Sequence, residues 1–218
     1  LFRSAVTDTA GIKSVGGVTT GYEAYPTSVQ DIEVTTGTES VALVDALDNP
    51  GSVAIDHVAP TYAPVTYSQG RYTINVTDDD SGLWKKADVE GNALENGNYS
   101  SSYPKTQQTF VGEGPVETIK LYDAAGNNQP VTLETTAPTA SGFYNGNKIK
   151  VTAQDTGSGL WKITATNDKT ADDIEGEGHS FTQNNEWQTR VIESSLSTVY
   201  VFDHAGNSTE VALVQDNV

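Results

Sequence analysis

The sequence predicts an all-β chain built as three tandem antiparallel sandwiches. Three observations carry that expectation. A phrase returns at a near-constant interval, short runs alternate apolar with polar residues and show no helical period, and turn-forming residues are plentiful. The repeat is plainest in "KLYDAAGNNQPV" at 120–131 and "YVFDHAGNSTEV" at 200–211. Asp123 lies 78 residues after Asp45 and 80 before Asp203. "LVDALDNPGSVAIDHVAP" at 43–60 aligns without gaps on "LYDAAGNNQPVTLETTAP" at 121–138.

Each aligned stretch ends in a proline-marked joint, Ala59-Pro60-Thr61 or Ala137-Pro138-Thr139, of the kind that separates domains. A second phrase recurs upstream of each Asp: "VTDTAGIKSV" at 6–15, "VTDDDSGLWKK" at 76–86 and "VTAQDTGSGLWKI" at 151–163. Three units follow, 1–60, 61–138 and 139–218.

In the second unit "RYTINVT" places Tyr72, Ile74 and Val76 on one face of a strand, and "ETIKLYD" does so for Ile119 and Leu121. "KIKVTA" and "TVYVFD" repeat the pair in the third unit. With turn signals at short intervals, a unit of this length fits a seven-strand antiparallel sandwich. A solenoid does not fit, because the period is too long and each unit has apolar positions enough for its own core. The first unit is shorter at its start. Gly82 follows Thr61 by 21 residues and Gly159 follows Thr139 by 20, whereas Gly11 has 10 residues before it. Since "FRSAV" aligns with "YTINV", the expected loss is the first strand, strand A, with the native chain continuing upstream of Leu1.

Composition excludes several functions. There is no Cys, hence no disulfide framework, thiolate metal site or cysteine nucleophile. A net charge of −17 opposes binding to nucleic acid or anionic lipid and favours cations. No run approaches the roughly 20 apolar residues that span a bilayer, and the first residues do not read as a signal peptide, so targeting information is expected outside this stretch.

"DxxSGL" early in a unit, "YDAAGN" or "FDHAGN" late, and the "TTAPT" joint together resemble the bacterial immunoglobulin-like repeats found in tandem in cell-surface proteins and adhesins. The resemblance covers all three units and is best in the second and third. It implies three immunoglobulin-like sandwiches, the first lacking strand A, in an extracellular or wall-attached spacer with an adhesive role. The first unit departs from the pattern with Leu47-Asp48 where the others have Ala-Gly, so its turn is expected to differ in shape.

The repeated Asp has two readings. As turn chemistry, Asp123 and Asp203 accept hydrogen bonds from following amides while Gly126 and Gly206 supply the left-handed backbone. As a calcium site, the pole facing the first joint gathers Asp78, Asp79 and Asp80 near Asp123, Asn127 and Asp56, offering hard oxygens of the type calcium prefers. The second joint offers fewer: Asp155, Asp203, Asn207 and Glu134.

Catalysis finds no support. His57, His179 and His204 occupy unrelated contexts, Asp172-Asp173 and Glu175-Glu177 read as a solvated loop, and no phosphate-binding glycine loop is present. Trp84 and Trp161 align with Lys13, a position unsuited to deep core, and read either as cover for a sheet edge or joint or as stacking platforms for a glycan or a partner protein. Trp187 reads as core or rim. Lys120, Lys148 and Lys150 are candidates by type alone for an intramolecular Lys–Asn or Lys–Asp cross-link. The expected function is a non-catalytic surface spacer. The alternative is an accessory glycan- or protein-binding segment of a carbohydrate-active enzyme.

Overall fold

The computed structural model describes residues 6–7, 11–16, 18–19, 28–29, 38–96, 106–174 and 181–216. Every regular element among them is a strand. The first repeat contains β1 (Val6–Thr7), β2 (Ile12–Val15), β3 (Val18–Thr19), β4 (Ser28–Val29), β5 (Ser40–Asp45) and β6 (Pro50–Ala54). The second contains β7 (Thr61–Tyr62), β8 (Thr66–Ser68), β9 (Arg71–Thr77), β10 (Leu83–Ala87), β11 (Ala93–Asn96), β12 (Gln107–Glu113), β13 (Thr118–Asp123) and β14 (Asn128–Thr132). The third contains β15 (Thr139–Asn145), β16 (Lys148–Gln154), β17 (Leu160–Thr164), β18 (Gln188–Glu193), β19 (Thr198–Asp203), β20 (Ser208–Ala212) and β21 (Val214–Gln215).

The sequence repeat is also a structural repeat. Sheets ordered β3-β2-β5-β6, β11-β10-β13-β14 and β17-β19-β20 place equivalent strands side by side, with β2–β5, β10–β13 and β17–β19 antiparallel. Each contains the same irregularity. The register slips between Ile12 and Ser14, between Leu83 and Lys85, and between Leu160 and Lys162, so Lys13, Trp84 and Trp161 are the extra residues of a β-bulge. A bulge resets the inward–outward alternation, which brings residues three apart to the core face. Leu160 and Ile163 are both fully buried for that reason, as are Leu83 and Lys86.

The described residues divide into two compact units. One comprises 1–63, 75–110 and 118–131; the other comprises 64–74, 111–117 and 132–218. In the first, Ile12 and Val41 form a small buried cluster with Val15, Leu43, Val53, Ile55 and Ala125 around it, and Val76, Leu83, Phe110, Ile119 and Leu121 are buried as well. In the second, sheet β18-β16-β15-β21 contributes Ile149, Val151, Ala153 and Ile192 to one cluster, and the facing sheet contributes Leu160, Ile163, Val199, Val201 and Val211. Two sheets that bury their apolar faces in a shared cluster make a sandwich-like layer pair.

The expectation of a missing strand A falls mostly on residues outside those described. His179, Glu175 and Glu177 also lie outside them.

Candidate functional site

The site is built from a turn that recurs at the same place in each repeat, and Asp88 and Asn92 make the same clamp once more between β10 and β11, at 2.8 and 2.9 Å. In each copy an Asp ends a strand, and its carboxylate accepts both the backbone N–H and the side-chain Nδ2 of the Asn four residues on. The two distances are 2.7 and 2.7 Å for Asp45–Asn49, 2.8 and 2.8 Å for Asp123–Asn127, and 2.8 and 2.8 Å for Asp203–Asn207. The third turn residue is left-handed in every copy, with φ of 64° at Asp48, 92° at Gly126 and 93° at Gly206. The expected difference at Leu47-Asp48 is therefore absent. Asp tolerates the left-handed well better than most residues, and the Asn clamp keeps the loop closed.

A second turn brings up another carboxylate. Asp78 accepts the N–H of Gly82 at 2.6 Å and Asp155 that of Gly159 at 2.6 Å, with φ of 81° and 83° at those glycines. The next residue of the site comes from the joint. Asp56 accepts the N–H of Ser81 at 3.2 Å, and Glu134 accepts the hydroxyl of Ser158 at 3.3 Å.

Two equivalent clusters result: Asp56, Asp78 and Asp123 in one unit, and Glu134, Asp155 and Asp203 in the other, each with one oxygen per residue within 4.8 Å of the rest. Asp78, Asp123, Asp155 and Asp203 are buried, while Asp56 and Glu134 sit at the rim. Among the described residues no Lys, Arg or His forms an ion pair with any of the six.

The electrostatic consequence depends on burial. Asn49 holds the half-buried Asp45 carboxyl below its usual range. At Asp123 the same clamp is outweighed: burial pushes the carboxyl up to about 7, with the charges of Asp56 and Asp78 adding to it. Burial also pushes Asp203 up to about 7, assisted by Glu134 and Asp155. Asp78 is raised by burial too.

Of the residues proposed from sequence for the first joint, Asp56, Asp78 and Asp123 come together. Asp79 and Asp80 are exposed and contribute no oxygen to the cluster. Asn127 is present in another role. Its Nδ2 donates to Asp123 and to the carbonyls of Asp56 at 3.1 Å and Val58 at 3.4 Å, so it orients the carboxylate and ties the joint, with its donor side toward the acidic groups. The second joint gathers Glu134, Asp155 and Asp203, with Asn207 donating to Glu134 at 2.9 Å.

Both aligned indoles are half-buried and used in packing. Trp84 meets Tyr122 edge-on at 6.2 Å, with Lys85 Nζ 4.5 Å over its ring. Trp161 meets Phe202 edge-on at 6.4 Å, stacks on His204 at 6.4 Å and lies under Lys162 Nζ at 4.2 Å. Trp187 is at the rim, 54% exposed. Lys148 and Lys150 point outward from β16, and Lys120 Nζ donates to the carbonyl of Val89 at 2.7 Å.

Sequence reasoning missed Lys86. It stands where the third repeat has Ile163, is 3% exposed, and pairs with Glu95 at 3.0 Å. The bulge was the missing signal, since simple alternation from Leu83 assigns position 86 to the outer face.

No protein-family model matches this chain, and no curated protein matches it significantly.

Proposed function

We propose that this chain is a run of immunoglobulin-like β-sandwiches serving as a non-catalytic extracellular spacer on a bacterial cell surface, with calcium held where one sandwich meets the next. The observation that carries the reading is the threefold bulged strand pair and Asp–Asn turn, to which a joint carboxylate, Asp56 or Glu134, is returned twice in the same position. Repetition of one scaffold suits spacing. Among the described residues it brings together no nucleophile, base and orienting group of the kind catalysis requires.

Buried carboxylates gathered without a basic partner fit a hard divalent cation, for which Asp56, Asp78 and Asp123 are the ligands at the first joint and Glu134, Asp155 and Asp203 at the second. A bound cation would neutralise the buried negative charge. The ring and lysine contacts of Trp84 and Trp161 favour a packing role over a glycan platform.

The test is thermal unfolding of the whole chain in millimolar calcium and in chelator. Calcium at about 100 times its Kd adds about 2.7 kcal/mol to the folded state, a rise in Tm of about 5 °C or more. The rise should survive Asp79→Ala, and the contribution of the first joint should vanish in Asp123→Ala. An unchanged Tm in the unmodified chain removes calcium from the reading. The spacer assignment is tested separately on glycan and surface-protein arrays, where specific glycan capture quenched at a tryptophan would overturn it.

A further inference from the structure

We infer that the loop end of the second repeat formed by residues 69–70 and 113–114 is a docking surface for the turn at 203–207 of the third repeat, so that the proline-marked joint is locked and does not act as a swivel. All the residues involved belong to the same compact unit. The inference takes the spacer reading as its context, and its test is independent of any ligand.

The docking element is a hairpin tip. Ser68 pairs with Arg71 across β8 and β9, which leaves a two-residue loop with both residues left-handed, φ 52° at Gln69 and 75° at Gly70. A left-handed Gln is unusual, and here it turns two consecutive N–H groups outward. Gly70 donates to the carbonyl of His204 at 3.0 Å, and Gln69 donates to His204 Nδ1 at 3.1 Å. Backbone and side chain of one residue are thus held by one turn.

Three glycines make the approach close enough. A Cβ on Gly114 would sit 2.0 Å from the carbonyl oxygen of Ala205, and one on Gly206 would sit 3.2 Å from the carbonyl oxygen of Gly114. A Cβ on Gly70 would meet the Trp161 ring at 3.3 Å, so this indole is covered by the neighbouring repeat. Backbone-to-backbone contact at this separation excludes any side chain.

Lys169 fastens the rim. Its Nζ donates to the carbonyl of Gly114 at 2.5 Å and pairs with Glu113 at 3.0 Å. On the other side Gln183 Nε2 bridges the carbonyls of Tyr67 at 3.1 Å and Ser158 at 3.0 Å. The joint residue itself is tied down, since the N–H of Glu134 donates to the Tyr67 hydroxyl at 2.8 Å. A joint free to swivel would break these bonds together, whereas a locked one keeps them all.

The third repeat has a comparable loop end with other residues in it, Gly146 and Asn147 standing where the second has Gln69 and Gly70. Ser194 donates to the carbonyl of Asn147 at 2.8 Å as Gly114 does to that of Gly70 at 2.9 Å, so Ser194 holds the place of Gly114. Gly70 and Gly114 thus belong to the loop end of the second repeat, and Asn147 and Ser194 stand in their places in the third.

The experiment is amide hydrogen exchange by NMR on the full 218-residue chain. Gln69 and Gly70 are at a hairpin tip, where amides ordinarily exchange at near-unprotected rates; docking should slow both by roughly a hundredfold or more. Gly114→Ala should return them at least tenfold toward the unprotected rate while Val151 and Val201 in the core keep their protection. Lys169→Met, which leaves the backbone contact undisturbed, should give a smaller acceleration in the same two amides. Unprotected exchange at Gln69 and Gly70 in the unmodified chain overturns the inference. So does protection that neither substitution changes.

Discussion

Asp123 should make the protein less stable as pH rises through neutrality when no cation is present. Its folded pKa of about 7 stands above the ordinary 3.8, because the carboxylate is buried beside Asp56 and Asp78. Between those two values the folded chain holds a proton that the unfolded chain has released. The stabilisation is therefore complete below about pH 4 and is lost as pH climbs through about 7. At about 1.4 kcal/mol per pH unit the upper bound is about 4 kcal/mol, and screening by water at the rim reduces it to about 2 kcal/mol. Asp203, also raised to about 7, acts in the same direction in the other unit. The assay is urea unfolding in chelator at pH 5 to 8, with a carbon-13 carboxyl titration to assign the group. Asp123→Asn removes the ionisable group and should flatten part of the slope. An Asp123 carboxyl that titrates below pH 5, or a slope identical in Asp123→Asn, refutes the reasoning.

The bulge and the turn supply two further tests. Lys86→Met replaces a buried ammonium with an apolar chain of similar reach, and its partner Glu95 is left partly open to water; urea unfolding should show a gain of about 1 kcal/mol, and a loss would show that the Lys86–Glu95 pair outweighs its desolvation. Asp48→Gly should stabilise the first repeat by about 0.5–1 kcal/mol by relieving a left-handed φ of 64°, since the exposed Lys13–Asp48 pair contributes little; a lower Tm in the variant would contradict this.

The strands were legible because period-two alternation is a direct print of the sheet face: Tyr72, Ile74 and Val76 are buried as their spacing requires. The carboxylates of the site were legible through the repeat, which aligned Asp56 with Glu134 and Asp123 with Asp203. What remained hidden was direction. Asp79 and Asp80 neighbour Asp78 in sequence, but only Asp78 turns inward to close on Gly82. Asn127 has both an oxygen and a nitrogen to offer, and only its three acceptor neighbours show that the nitrogen is in use. Lys86 was hidden because one inserted residue reverses the face of everything after it.

The contrast between Gly114 and Ser194 bears on how such a chain can change over time. An array of interchangeable copies tolerates duplication, deletion and exchange of whole units by recombination, because any neighbour fits any other. Here one junction accepts its neighbour through Gly70 and Gly114, and the corresponding loop of the following copy has Asn147 in the first place and a hydroxymethyl group, that of Ser194, in the second. Swapping the second and third copies would set that group against a carbonyl oxygen. The order of the copies is thereby written into a few backbone positions, and a shuffled descendant would lose its joint before it lost its fold.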